Sequence, residues 1–305
     1  MNPGKWGWMA VLPTAYALVL AWCGKLQALD VALAALCLAL SFSGPRPRRL
    51  LKEAIPYLIF LYGFDLVRFG RDMWLTRERV TTCGMRDVEI ALLGFGSGRT
   101  PGEWLAQFRS PLLDLLCAIP YFVFVYVVIV YAAYLYRMDR PRMRLYLWSF
   151  ALANTIAYLV WLAFPVAPPW YVHAHGCAVD LSVAPSAAGL VRVDEWLHIR
   201  YFRTFYGNSS YVFGAMPSLH CAYPMIGLLT AWPAVGWRTR PLHLGYVAVM
   251  FVASVYLDHH YVLDGLAGWT LAWLSVVVMR RTMSYVLARW PSHDDSPKLP
   301  AESHG

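Results

Sequence analysis

The chain has 305 residues, of which 59% are hydrophobic and only 14% are charged. A soluble domain carries about 25% charged residues. This composition, together with a mean hydropathy of +0.45, excludes a disordered chain and an ordinary water-soluble globule. The net charge of +8 does not indicate a nucleic-acid partner, because the basic residues form short clusters between apolar segments. The chain is therefore expected to fold in a lipid bilayer.

Apolar segments of about 17–25 residues, the length that a helix needs to cross a bilayer, recur along the chain. They predict an all-α, polytopic membrane helix bundle with spans near 6–24, 26–43, 54–70, 111–136, 145–166, 214–236, 241–258 and 262–279, about eight in all. The same pattern predicts three regions: an N-terminal membrane hairpin with a basic loop (1–53), a catalytic membrane domain (54–290) and a polar C-terminal tail (291–305).

The basic clusters predict how the chain is oriented in the membrane. With eight spans, the arginine-rich clusters around residues 44–53, 137–144, 238–240 and 280–289 all fall on one side, together with both termini. By the positive-inside rule that side is the cytoplasm. The bias toward arginine over lysine, 22 to 4, favours a bacterial inner membrane as the host membrane.

Two long segments, 71–110 and 165–213, are left on the extracytoplasmic side. Residues 86–93 (Arg-Asp-Val-Glu-Ile-Ala-Leu-Leu) in the first segment are typical of a short amphipathic helix on the surface. Each segment also carries one cysteine, Cys83 or Cys177. An oxidising compartment permits a disulfide between them, but the sequence leaves the pairing open because it carries no geometry.

Two polar motifs flank the sixth and seventh spans. Residues 214–220 (Gly-Ala-Met-Pro-Ser-Leu-His) open the sixth span, and residues 256–265 (Tyr-Leu-Asp-His-His-Tyr-Val-Leu-Asp-Gly) close the seventh. The predicted topology therefore brings both motifs to the same extracytoplasmic mouth of the bundle. Ionisable groups are costly at membrane depth, so this concentration of them indicates a functional site rather than interfacial hydrogen bonding alone.

The residue types in these motifs point to nucleophilic chemistry. His260 and Asp264 are four residues apart, so on a helix they share a face, and a carboxylate can fix the imidazole tautomer and activate its other nitrogen. Pro217 suits a first helical turn, where Ser218 and free N–H groups would form an anion site that His220 faces. His173, His175 and Cys177 have a spacing that invites a metal site, but two histidines and one cysteine do not complete a tetrahedral one.

These residues resemble the type-2 phosphatidic acid phosphatase superfamily, within it the branch that contains fungal inositol phosphorylceramide synthase and its bacterial relatives. The resemblance covers about residues 54–280. It is carried by Phe-Gly-Ala-Met-Pro-Ser-Leu-His at 213–220, His-His-Tyr-Val-Leu-Asp at 259–264, Phe-Pro-Val-Ala-Pro-Pro-Trp-Tyr at 164–171 and Arg-Val-Asp at 192–194. The resemblance implies a membrane phosphotransferase core.

The resemblance further implies a catalytic triad that needs no metal and no cofactor. His260 would attack phosphorus and form a phosphohistidine, and Asp264 would orient His260. His220 would protonate the departing oxygen and later deprotonate the acceptor hydroxyl. General acid catalysis of this kind contributes about 10²–10⁴-fold to a rate.

The sequence departs from the phosphatase members of the superfamily in its cations. Those members carry a Lys-x6-Arg-Pro motif and a Ser-Arg pair, whereas Ala253 and Ser254 occupy the pair positions here. Fewer fixed cations suit a singly charged phosphodiester better than a phosphomonoester, which favours transfer of a headgroup over release of phosphate. The residues expected to bind substrate are Arg192, Asp194, Ser218, Arg200, Arg203, Trp170 and Tyr171.

Two of these assignments have a competing interpretation. Arg200 and Arg203 are equally suited to contact lipid headgroups. The loop around Trp170 either covers a phosphohistidine against water or only seats the chain in the membrane interface.

The sequence therefore predicts a membrane enzyme that transfers a phospho-headgroup to a lipid hydroxyl, with lipids as its partners. The resemblance alone implies that the headgroup is inositol phosphate from phosphatidylinositol and that the acceptor is a lipid such as ceramide. An alternative is a lipid phosphatase that acts on phosphatidic acid or an isoprenoid phosphate. A non-enzymatic alternative is a lipid transporter or binder, which the clustering of polar residues at one mouth, rather than at the bilayer midplane, speaks against. The oligomeric state is left open by the sequence.

Overall fold

The computed structural model describes residues 8–94, 96–207 and 211–289. Within these ranges the chain is helical, without any strand. The helices are α1 Trp8–Trp22, α2 Ala28–Phe42, α3 Pro45–Trp74, α4 Cys83–Leu93, α5 Pro101–Leu105, α6 Pro111–Met138, α7 Arg140–Ala163, α8 Pro169–His175, α9 Val191–Leu197, α10 Tyr201–Gly207, α11 Leu219–Ala231, α12 Arg240–Tyr256 and α13 Val262–Arg289. The predicted all-α class is confirmed.

Each of the eight predicted spans coincides with a helix, and the predicted amphipathic helix 86–93 forms the greater part of α4. Three helical stretches are long and apolar enough to cross a membrane by themselves: Pro111–Met138, Arg140–Ala163 and Val262–Tyr285. Val11–Trp22, Ala28–Phe42 and Leu219–Ala231 are apolar but shorter. The protein is a membrane protein, and the count of eight spans stays a prediction.

The chain divides into two compact units, Met1–Tyr62 and Gly63–Gly305. In the first unit, α1 and α2 pack on each other around Met9, Cys37 and Leu51. The predicted functional regions 1–53 and 54–290 stay a prediction, and the predicted tail 291–305 lies outside the described residues.

The second unit is organised around α11. This helix packs against α6, α7, α12 and α13, and its residues are largely buried. At 13 residues it rises only about 20 Å, less than the roughly 30 Å of a bilayer core. Because other helices surround it, its short length exposes little backbone to lipid, and its N-terminus lies inside the bundle.

Local sequence explains where these helices begin. A serine or aspartate side chain accepts the backbone N–H three residues ahead at the start of α6 (Ser110), α7 (Asp139) and α11 (Ser218). Proline is the first residue of α6 and the second residue of α7. At these positions a backbone N–H would have no acceptor within the helix, so its loss costs nothing. The predicted position of Pro217 inside the first turn of α11 is wrong by two residues, since the helix begins at Leu219.

The loop segments before the site are tied together by backbone pairing and by a disulfide. Val166 forms isolated parallel bridges with both Thr81 and Gly214. Cys83 and Cys177 form a disulfide with a Cα–Cα distance of 5.1 Å, which answers the question that the sequence left open. The disulfide joins the start of α4 to the loop that follows α8, and the bridges join the segments around Thr81, Val166 and Gly214.

Gly268 allows α13 to approach the start of α11. A Cβ atom at this position would lie 2.2 Å from the carbonyl oxygen of Ser218, closer than real Cβ contacts. We expect Gly268→Ala to destabilise the protein by about 1–3 kcal/mol, because the added methyl group clashes with the backbone of Ser218 at a contact that has no free space. Thermal unfolding in detergent measures the change.

Gly245→Ala is the matched control for this substitution, because Gly245 lies in α12 and a Cβ there meets nothing within 4 Å. Helix propensity alone predicts a gain of up to about 1 kcal/mol for either variant. Equal midpoints for the two variants would show that the close approach at Gly268 is unimportant.

Candidate active site

The two polar motifs meet at the N-termini of α11 and α13. The backbone N–H of Ser218 donates to the backbone oxygen of Asp264 over 3.0 Å. The Ser218 hydroxyl oxygen accepts the N–H of Cys221 at 3.3 Å and is fully buried. Ser218 is therefore a helix cap in this structure. Because a hydroxyl that accepts one hydrogen bond can still donate another, its predicted role in anion binding stays a prediction.

His220 and His260 lie in direct contact, with 3.1 Å between Nδ1 of His220 and Nε2 of His260. The Nδ1 atom of His260 lies 2.9 Å from the carbonyl oxygen of Ala215, which can only accept a hydrogen bond. Nδ1 of His260 must therefore carry the hydrogen, and in the neutral ring Nε2 holds the lone pair that faces His220. His220 in turn donates from its Nδ1 atom.

Asp264 does not make the predicted hydrogen bond to His260. Its Oδ2 atom lies 3.7 Å from Nδ1 of His260, beyond hydrogen-bond distance, and accepts the N–H of Tyr261 at 2.8 Å instead. The reason is that His260 precedes the first turn of α13, which begins at Val262, so the two residues do not share a helical face. Asp264 caps that turn from its third position.

Aromatic rings enclose His220. Tyr121 stacks on the imidazole with ring centroids 4.0 Å apart, and Phe124 lies 4.2 Å away on a tilted plane. Both come from one face of α6, three residues apart. Sequence reasoning missed them; the available signal was an aromatic pair at helical spacing inside a predicted span. Among the described residues, no hydrogen-bond partner lies near Nε2 of His220.

The segment 164–171, which ends in Pro-Pro-Trp-Tyr, supports the site through its backbone. The N–H of Ala215 donates to the oxygen of Val166 at 3.2 Å, and the N–H of Val166 donates to the oxygen of Phe213 at 2.8 Å. This pairing places the Ala215 carbonyl oxygen that orients His260. The N–H of Trp170 donates to the backbone oxygen of Asp258 at 3.0 Å, two residues before His260.

Tyr171 stabilises the loop that follows α8. Its ring is fully buried, and its hydroxyl oxygen accepts the N–H of Asp180 at 2.7 Å. The hydroxyl donates to the backbone oxygen of Ala178, 3.1 Å away. Tyr171 therefore closes its own loop, and Trp170 remains partly exposed beside it.

The predicted phosphate ligand Arg192 is paired with an acid. Its Nε and Nη2 atoms lie 3.0 and 2.6 Å from Oδ1 of Asp114, a buried residue of α6 that sequence reasoning missed. Burial disfavours the charged Arg192, but Asp114 outweighs it and raises the guanidinium pKa. Arg192 therefore carries a fixed charge that its partner largely balances.

Two of the other predicted substrate ligands, Asp194 and Arg203, are bonded to neighbouring residues. Asp194 is buried, and its two carboxylate oxygens accept the N–H groups of Phe202 and Arg203 at 3.1 and 2.8 Å. It thus caps α10. The Arg203 side chain pairs with exposed Glu195, and Arg200 is exposed at the start of α10. For Arg200 and Arg203, both substrate binding and headgroup contact stay predictions.

The metal interpretation of His173, His175 and Cys177 receives no support. Cys177 is used in the disulfide. Across the described part of the chain, no three histidine, cysteine or acidic side chains are grouped so that they could hold a metal ion.

Glu89 is a further buried acid that sequence reasoning missed. Its side chain is fully buried, and Oε1 accepts the N–H of Val262, the first residue of α13, at 2.8 Å. Burial raises the pKa of Glu89 from 4.5 to about 7. The surface helix α4 thus caps the helix that carries Asp264.

We expect Glu89→Gln to stabilise the protein only at neutral and alkaline pH. The folded pKa lies above the unfolded one, so the folded state loses stability as pH rises from 4.5 to about 7. Glutamine keeps an acceptor for Val262 but cannot ionise. The gain in unfolding free energy should grow across that window to on the order of 1–3 kcal/mol.

Thermal unfolding in detergent at several pH values measures this gain. Glu195→Gln is the matched control, because Glu195 is exposed. A gain for Glu89→Gln that does not vary with pH would contradict the assignment.

The chain belongs to the PAP2 superfamily, whose sequence pattern matches residues 92–278 and so includes the whole histidine site. The resemblance stated from the motifs is confirmed.

Within that superfamily, this chain is 30% identical to a phosphoinositol dihydroceramide synthase of Bacteroides thetaiotaomicron, over 87% of this chain and 88% of that protein. It is 29% identical to the inositol phosphorylceramide synthase catalytic subunit of Schizosaccharomyces pombe, over 80% of this chain and 57% of that protein. It is 33% identical to the inositol phosphorylceramide synthase of Candida albicans, over 58% of this chain and 38% of that protein. No solved structure matches the chain.

Proposed function

We propose that this protein is a membrane phosphotransferase that moves inositol phosphate from phosphatidylinositol to the hydroxyl group of ceramide. The observation that carries the proposal is the histidine pair: a lone pair on Nε2 of His260, held by the Ala215 carbonyl, faces a hydrogen on Nδ1 of His220. The names of the similar synthases of Bacteroides thetaiotaomicron and of fungi support the choice of lipids.

In the first step, Nε2 of His260 attacks the phosphorus of phosphatidylinositol. The bond from phosphorus to the diacylglycerol oxygen breaks, and His220 gives that oxygen a proton. Diacylglycerol leaves, and inositol phosphate stays bound to His260. The two ring nitrogens, now 3.1 Å apart, must separate to admit the phosphorus atom between them.

In the second step, His220 takes the proton of the ceramide hydroxyl, whose oxygen attacks phosphorus. The phosphorus–nitrogen bond breaks, its electron pair returns to Nε2 of His260, and inositol phosphorylceramide leaves. His220 must be doubly protonated before the first step. The substrate's negative charge and the stacked face of Tyr121 both favour that cation.

The charge around the site supports a phosphodiester donor. Arg192 is bound to Asp114 through two nitrogen atoms, so the pair adds little net positive charge. A singly charged diester needs less neutralisation than a doubly charged monoester. The rings of Tyr121 and Phe124 and the loop at Trp170 would exclude water from the phosphohistidine.

We propose that the site faces the extracytoplasmic side of a bacterial inner membrane, with both termini in the cytoplasm. The basic clusters support this orientation. The Cys83–Cys177 disulfide supports it independently, because it lies in the loops that lead to the site and disulfides persist in oxidising compartments.

Purified protein in detergent, given phosphatidylinositol and a fluorescent short-chain ceramide, is expected to form an anionic ceramide product and an equal amount of diacylglycerol. Chromatography of the lipids measures both. Release of inorganic phosphate from phosphatidic acid without that product would favour the phosphatase alternative. Folded protein with neither activity would favour a lipid binder.

Histidine variants test the assigned roles. We expect His260→Ala to lose at least about 10³-fold in kcat, because no nucleophile remains, and His220→Ala to lose about 10²–10⁴-fold. His175→Ala should keep normal activity, since His175 is an exposed residue at the end of α8. Mass spectrometry of acid-labile inositol phosphate on His260 in the presence of phosphatidylinositol alone would identify the intermediate. Activity retained by His260→Ala would refute the mechanism.

A further inference from the structure

A chain of four charged side chains connects the loop helices to the turn that carries His260. Arg86 of α4 binds Glu103 of α5 through two nitrogen atoms, at 2.7 and 3.1 Å. His173 of α8 then bridges two acids, with Nε2 at 3.2 Å from Glu103 and Nδ1 at 2.9 Å from Asp258. None of these four residues belongs to the proposed triad.

The geometry defines the protonation state of His173. Both ring nitrogens face carboxylate oxygens, and an ionised carboxylate can only accept hydrogen bonds. Both contacts are hydrogen bonds only when each nitrogen carries a hydrogen, so His173 is an imidazolium here. Consistently, the hydrogen bond to Asp258 and the charges of Asp258 and Glu103 raise the pKa of His173, against the opposing effect of burial.

Glu103 is well placed to hold His173 still. Besides Arg86, its carboxylate accepts the N–H of Thr100 at 3.0 Å, which fixes it at the start of α5. The charged groups that face this cluster are Arg86 from α4, Glu103 from α5 and Asp258 from the turn between α12 and α13. On its Glu103 side, the position of His173 is therefore set by the loop helices α4 and α5.

Asp258 connects His173 to the turn that carries His260. It lies two residues before His260, and its backbone adopts a left-handed conformation with φ +67°. Aspartate tolerates this region better than most residues but is still held there by its contacts. The backbone oxygen of Asp258 accepts the N–H of Trp170, and its carboxylate accepts a hydrogen bond from His173. Both contacts come from α8.

We propose that His173, in its doubly protonated form, is a positioning residue that holds the Asp258–His260 turn in the geometry for phosphoryl transfer. It acts through Asp258 and touches neither substrate nor phosphorus. The proposal rests on the proposed phosphotransferase function.

The positive charge of His173 makes kcat depend on pH. While the pH is below the raised pKa of His173, both hydrogen bonds are present. Above it, the ring keeps one hydrogen, and the other nitrogen turns its lone pair toward a carboxylate. One end of the bridge is then lost, the turn loosens, and kcat falls as pH rises. The KM for phosphatidylinositol should change little, because His173 is proposed to act on the turn and not on the lipid.

The test compares the pH profiles of kcat and KM for the full-length protein and three variants. Glu103→Gln removes one charge that favours the imidazolium, so the fall in kcat should move to lower pH by about one unit. His173→Gln should lower kcat by about tenfold at pH 6 and abolish the part of the fall that Glu103→Gln moves, so that only the fall caused by deprotonation of His220 remains. His175→Gln should match the wild type in both respects. A fall that stays at the same pH in Glu103→Gln and persists in His173→Gln would overturn the proposal.

Hydrogen exchange supplies a measurement that does not depend on activity. At pH 6, peptides that cover residues 255–262 should exchange faster in His173→Gln than in the wild type, and equally in His175→Gln. Unchanged exchange in His173→Gln would overturn the positioning role even if the enzyme is active. If His173→Gln exchanges faster but the wild type has no transferase activity, the positioning role is supported and only the proposed function is refuted.

Discussion

The hydrogen bond from Nδ1 of His260 to the Ala215 carbonyl oxygen sets the chemistry of the site, because it decides which ring nitrogen holds the lone pair. Both residues are buried, so water cannot easily replace this partner. The acceptor belongs to the main chain, and its place depends on the pairing of Ala215 with Val166. Whatever holds these two segments together therefore also holds the proposed nucleophile.

Two helices approach each other closely in the same region. Gly268 lets α13 lie against the backbone of Ser218, and the N–H of Ser218 donates to the backbone oxygen of Asp264. The starts of α11 and α13 are thus joined without long side chains between them. Because the interior of a protein is close-packed, this contact leaves the two histidines little freedom to drift apart without substrate.

Two buried acids, Asp114 and Glu89, are each bonded to a partner that is distant in sequence. Asp114 binds Arg192, 78 residues away, and Glu89 accepts the N–H of Val262, 173 residues away. Burying a carboxylate without such a partner is costly. The sequence could not reveal these pairs, nor the stacking of Tyr121 on His220, because each depends on contacts between segments far apart in the chain.

The sequence by itself determined the helices and the reacting groups. A bilayer permits few structures besides helices, so apolar length alone located all eight predicted helical segments, and side-chain chemistry alone pointed to His220 and His260. Only the tertiary structure decided how those groups are held. Spacing assigned Asp264 as the partner of His260, whereas the structure has the Ala215 carbonyl in that place. A hydrogen bond depends on atomic distance, and the folding of remote segments sets that distance.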